Sequence, residues 1–170
     1  MRRLAILAFV LLAACKQDAA PPPPASYGPD TAAHFCQMAI GEMAGPKAQI
    51  ALEGYPTPIF FGQVRDGIAY VDSPEKEARI LAFYVSDMSK APDWADPGAT
   101  NWIAADKAYF VVGADVKGGM GAPEIVPFGV RQDAENFAAS HGGRVMQLDD
   151  IPPSAVLAPV DKGSTQGKGT

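Results

Sequence analysis

Cysteine and histidine are scarce in this sequence: two of each in 170 residues, Cys15 and Cys36, His34 and His141. Two cysteines cannot build a disulfide framework. Two histidines leave too few nitrogen donors for a four-coordinate zinc site. Positive charge is also in short supply, with 14 Lys and Arg against 19 Asp and Glu. No basic patch could track a nucleic-acid backbone, which excludes that class of partner. The one pronounced apolar run, Leu4 to Leu12, is too short to span a bilayer of about 30 Å.

That run has another use. Arg2 and Arg3 precede it, and Ala13-Ala14-Cys15 follows, the pattern of a secretory signal. Leu12-Ala13-Ala14-Cys15 resembles the bacterial lipobox, which implies cleavage before Cys15, its diacylation and a further acyl chain on the new amine. Residues 1–14 are then the signal peptide. Loss of Arg2 and Arg3 takes the net charge from −5 to −7. Residues 15–32 read as a lipid-anchored tether, because Pro21 to Pro24 favour the extended polyproline II form. Lys16, where an Asp would favour inner-membrane retention, points to the outer membrane and the periplasm. Residues 158–170 read as a disordered tail, since Asp161 to Thr170 contains no apolar residue.

Between tether and tail the sequence predicts an α+β fold of two similar ββαβ units. In the first, residues 33–88, strands are expected at Lys47–Leu52, Thr57–Phe61 and Arg79–Val85, with a helix at Val64–Asp72. Residues 89–100, rich in Pro, Asp and Gly, form a linker. In the second, residues 101–157, strands are expected at Ala108–Gly113, Glu124–Phe128 and Gly143–Leu148, with a helix at Val130–Ser140 stopped by Gly142-Gly143. Phe60-Phe61-Gly62-Gln63-Val64-Arg65-Asp66 echoes Pro127-Phe128-Gly129-Val130-Arg131-Gln132-Asp133. The arginine in each helix's first turn opposes the helix macrodipole. A single continuous α+β domain is the alternative.

With Cys15 acylated, Cys36 is a lone thiol in an oxidising compartment, where thiols invite oxidation. Its neighbours are His34 and Met38. On an extended segment residues 34, 36 and 38 point the same way, which would gather imidazole, thiolate and thioether. Such soft donors select Cu(I). Met120 stands alone in the glycine-rich Lys117-Gly118-Gly119-Met120-Gly121-Ala122-Pro123, where a flexible loop could present its thioether. Against these readings stand a buried Cys36–Met38 pair, a surface His34 and a gap-filling Met120. Met43, Met88 and Met146 read as packing, and His141 as a helix-end cation.

His34-Phe35-Cys36-Gln37-Met38 followed by Gly45-Pro46-Lys47-Ala48-Gln49-Ile50 resembles the opening signature of the NosL proteins, accessory lipoproteins of nitrous-oxide reductase assembly. Further matches are Phe60-Phe61, Val64-Arg65-Asp66, Gly119-Met120-Gly121, Pro127-Phe128 and Phe137-Ala138-Ala139-Ser140-His141-Gly142-Gly143. The resemblance implies a fold of two ββαβ units related to organomercurial lyase. It also implies a copper chaperone binding one Cu(I) for the reductase's copper–sulfide cluster, working with a membrane transporter and a periplasmic partner protein. The family's copper-binding cysteine and methionine fall on Cys36 and Met38, and its loop methionine on Met120. Gln37 stands where glycine is common, and Met43 where histidine is expected, a possible extra donor alongside His34. The alternative function is a passive copper buffer or sensor. Organomercurial cleavage needs paired thiolates, and one thiol remains; the expectation is that the chain is not an enzyme.

Overall fold

The computed structural model describes residues 20–160. The signal peptide, Cys15, the start of the tether and the tail from residue 161 lie outside the described residues.

The alternating stretches form strands where one face can be buried. In the first unit β1 (Ala48–Leu52) pairs antiparallel with β2 (Ile59–Phe61) and with β3 (Ile80–Ser86). Helix α1 (Val64–Asp72) lies between β2 and β3 in the chain. The second unit repeats the order. There β5 (Tyr109–Val112) pairs antiparallel with β6 (Val126–Phe128) and β7 (Arg144–Met146), and helix α2 (Arg131–His141) follows β6. In each unit the first strand is central, as the internal repeat requires. The fold is mixed α and β with antiparallel sheets.

Strand β4 (Trp102–Ala104) departs from the duplicated pattern. It lies beyond the linker, within the span read as the second unit, yet pairs with β3. The sheets therefore run β2-β1-β3-β4 and β6-β5-β7. They are joined where β3 ends: Met88 N donates to Pro127 O at 3.0 Å, and Gly129 N to Asp87 Oδ1 at 2.7 Å.

Side-chain parity sorts the first sheet into two faces. Ala48, Ile50 and Leu52, with Phe61 and Val85 opposite, join Val64 and Ile68 of α1 in the main core. That core continues into Phe110, Ile125 and Val156, the last on the short helix α3 (Pro153–Val156). The opposite face carries Gln49, Phe60, Tyr84 and Trp102. Residues 21–27 cover it. Ala25 N donates to Gln49 Oε1 and Gln49 Nε2 donates back to Ala25 O, both at 2.8 Å. Tyr84 Oη donates to Pro22 O at 2.8 Å, and the Tyr27 ring meets Phe60 and Trp102 edge-on. The proline-rich segment that reads as a free tether is, from Pro21 on, a strap laid on the sheet.

The two helix-start arginines oppose the macrodipole as expected, and each finds other partners. Arg65 donates to Pro123 O at 3.3 Å and Ala158 O at 2.8 Å. Arg131 pairs with Glu135 one turn on at 2.9 Å. Gly142 and Gly143, at φ of 75° and 89°, end α2 in a conformation costly to other residues.

Candidate metal centre

The Cys36 segment is a tight turn, which corrects the extended reading. Ala32 and Ala39 form an antiparallel bridge, and Ala33 N donates to Met38 O at 2.9 Å. Gln37 N closes the turn on Ala33 O at 2.8 Å. Gln37 has φ of 59°, unusual for a residue with a β-carbon. Its side chain offsets that cost by donating to His34 O at 2.6 Å. Position 37 thus takes the left-handed conformation glycine adopts freely, the physical sense of the glycine common there in the resemblance. The period-two argument for residues 34, 36 and 38 fails because the chain reverses between them.

The turn is docked on the outer edge of β2. Ala33 bridges Phe60, and His34 N donates to Phe60 O at 2.7 Å. Cys36 is a free thiol, half-buried. Met38 is 49% exposed and Phe35 57%. His34 is occupied elsewhere: its ring packs against Phe35, Phe61 and Tyr70, and Nε2 lies 3.5 Å from Glu77 Oε1.

Met120 sits at the tip of a hairpin whose base is the Lys117–Pro123 bridge, and it is 43% exposed. The glycines beside it serve close packing. A β-carbon on Gly119 would stand 2.5 Å from that of Met43, and one on Gly118 would overlap Glu124 and Gln63. The loop is wedged rather than loose at its base. Met43 is 2% exposed, with its sulfur against Gly62. It is a packing residue in this conformation, and it joins the hairpin to the chain just after the Cys36 turn.

Beneath the hairpin lies a polar cluster that the sequence reading missed. Gln63 donates to Ala122 O and to Glu124 Oε2, both at 3.4 Å. Glu124 also accepts from Ile125 N at 2.9 Å and Arg65 N at 3.3 Å. Burial pushes the Glu124 carboxyl up to about 8, against the pull of those backbone donors. Lys47 is 1% exposed and donates to Met43 O and, at 2.6 Å, to Gly45 O. Burial brings its ammonium down to about 8, opposed by Glu124 and Asp96. The carbonyls of Met43 and Gly45 are thereby held by a buried cation, which fixes the loop under Gly119. Lys47 stands in the family-like signature and Gln63 in the echoed phrase, but neither they nor Glu124 were read for polar chemistry; their one such signal was a polar residue inside an otherwise apolar stretch.

Among the described residues no three His, Cys, Asp or Glu side chains come together to hold a metal. The sulfurs here are the half-buried thiol of Cys36 and the exposed thioethers of Met38, on the turn, and Met120, on the hairpin. Soft donors of that kind suit Cu(I) and not Mg, Ca or Mn.

A family model described as NosL matches residues 24–156. This chain belongs to the NosL family. The copper-binding lipoprotein NosL of Achromobacter cycloclastes is 53% identical over 163 residues, 95% of this chain and 84% of that one. The copper-binding lipoprotein NosL of Stutzerimonas stutzeri is 34% identical over 128 residues, 75% of this chain and 65% of that one. Among solved structures, the copper chaperone NosL from Shewanella denitrificans superposes with a TM-score of 0.70 at 34% identity, covering 78% of this chain and 99% of the other. The apo-NosL solution structure from Achromobacter cycloclastes gives 0.50 at 56% identity, covering 69% and 94%. NosL membership agrees with the fold of paired antiparallel units.

Proposed function

We propose that this chain is a periplasmic lipoprotein, anchored through Cys15, that carries one Cu(I) at Cys36 and Met38 with Met120 as a third donor. It passes the ion on for the copper–sulfide cluster of nitrous-oxide reductase, together with a membrane transporter and a periplasmic partner protein. The anchor sits in the outer membrane. The chain acts as a carrier, with no catalytic residue.

One observation carries the copper reading: a free, half-buried thiol in a tight turn, two residues from an exposed thioether. The names of the relatives point the same way. Thiolate and thioether hold Cu(I) at low coordination number, and an incomplete shell leaves a position for an incoming ligand. The cysteine must lose its proton to bind, so copper competes with protons there. His34 and Met43 are weaker candidates as donors, the first facing Glu77 and the second buried.

Deleting the gene and measuring copper in purified nitrous-oxide reductase tests delivery. The expected result is reductase lacking its copper–sulfide cluster, restored by the wild-type chain and not by Cys36→Ser. A fully loaded reductase from the deletion strain would leave a buffering role instead.

A further inference from the structure

The strap has a geometric consequence for a protein held by a lipid. Gln49 lies on the central strand of the first sheet and is 1% exposed. Its amide is spent on both backbone polar groups of Ala25, which makes residue 25 resemble one more paired strand position. Pro22 is held over β3 by Tyr84, and Tyr27 lies against Phe60 of β2 and Trp102 of β4. Pro21 borders a groove with Leu81, Tyr84 and Ala105. The chain therefore joins the domain at β3. The Cys36 turn lies beyond β2, because Ala33 bridges Phe60. From β3 through β1 and β2 to Ala33 is three inter-strand steps, about 14 Å.

The leash is short. Six residues from Cys15 to Pro21 reach at most about 20 Å when fully extended. A domain of this size is about 35 Å across, so the leash is shorter than the domain it holds. Were the strap free as far as Ala33, the reach would be about 60 Å and the domain could turn over.

We propose that Pro21–Tyr27 is a fixed outer layer that orients the domain on its membrane. The groove and edge at β3, β4 and Ala105 lie nearest the lipid surface, and the Cys36 turn is carried on the far edge of the sheet, farther from it. The proposal rests on acylation of Cys15. Its occupant is the bilayer bearing that anchor, and the short leash, rather than attraction, holds it there: the chain carries net negative charge, which an anionic surface does not draw in.

The test uses the full acylated chain in vesicles of phosphatidylethanolamine and phosphatidylglycerol containing headgroup-quencher lipid. A fluorophore is placed at Asp106→Cys, beside Ala105, or at Asp30→Cys, just before the turn, each in a Cys36→Ser background. Both positions are exposed. Stronger quenching at residue 106 than at residue 30 is expected. A spacer of about 20 Gly and Ser residues between Asp18 and Ala19, adding roughly 25 Å of root-mean-square reach, should abolish the difference while leaving strap and domain intact. Gln49→Leu, which removes both strap bonds, should reduce it. Equal quenching at the two positions in the acylated, unmodified chain overturns the orientation, as does a difference that survives the spacer. The mass of the N-terminal peptide reads acylation separately. An unmodified Cys15 would overturn the anchor, and this orientation with it.

Discussion

The Cys36 turn and the Met120 hairpin both present a methionine that is about half exposed, but they are held in opposite ways. The first is a short reversal at a sheet edge, closed by few backbone bonds and an unusual conformation at Gln37. The second rests on buried side chains, Gln63, Glu124 and the Lys47-held loop, with glycines pressed into contact. An exposed donor can thus be built from local backbone geometry or from tertiary packing. The two should respond differently to the same kind of change.

The largest expected effect separates the two segments by chemistry. Cys36→Ser should abolish tight Cu(I) binding, because a serine hydroxyl is hard and stays protonated. Met120→Ile should keep the fold and weaken binding less, since isoleucine preserves apolar volume without a donor. Competition with a Cu(I) chelator measures both. Equal losses would erase the distinction between the segments, and an unaffected Met120→Ile would make Met120 a surface residue only.

Next comes the hairpin's base. Gly118→Ala forces a β-carbon onto Glu124 and Gln63, and overpacking of this kind costs about 1–3 kcal/mol. Gly41→Ala, where nothing lies within 4 Å, should leave stability within about 0.5 kcal/mol. Chemical denaturation of the two variants checks this. A harmless Gly118→Ala would mean that the hairpin is looser than its packing indicates.

The turn should respond on a smaller scale. Gln37→Ala keeps the left-handed backbone and loses the bond to His34 O, worth about 1 kcal/mol. Gln37→Gly loses the same bond and gains conformational ease, so it should come out closer to wild type. Thermal unfolding of the pair decides whether the backbone or the side chain dominates there.

A further comparison concerns pH, and it is read by its sign. Burial raises the folded Glu124 carboxyl from 4.5 to about 8. Between those values the folded chain keeps a proton that the unfolded chain releases, so stability falls as pH rises through this window. Lys47, brought down to about 8 from 10.5, acts with the opposite sign above it. Melting temperatures of wild type minus Glu124→Gln should decline from pH 5 to 8. A flat difference would mean that the carboxylate finds compensation on ionising.

The duplicated strands and helices were legible because alternation, glycine stops and the echoed Phe-Gly phrase are local signals. Strand β4 was not: Trp102–Ala104 follows the Pro, Asp and Gly-rich stretch and has no counterpart in the duplicated order. Cys36, Met38 and Met120 stand out in the sequence by their soft donor atoms, and both methionines are exposed. Their settings were not legible. The reversal at Gln37 uses a conformation that sequence signals only through glycine, and the wedge under Met120 depends on Gln63 and Glu124, 61 residues apart. The strap was hidden because proline and alanine read as solvated extended chain, whereas its partners Gln49 and Tyr84 come 24 and 62 residues later.

Strand β4 also decides how this protein can be divided. A fragment ending at Met88 would look whole by its sequence repeat, with three strands and a helix. It would nevertheless leave the β3 edge from Tyr84 to Ser86 bare, since Trp102–Ala104 no longer covers it. An unpaired edge is a template for another chain, so such fragments should associate edge to edge. The apparent duplication is therefore interlocked: the piece of chain that begins the second half is what covers the open edge of the first.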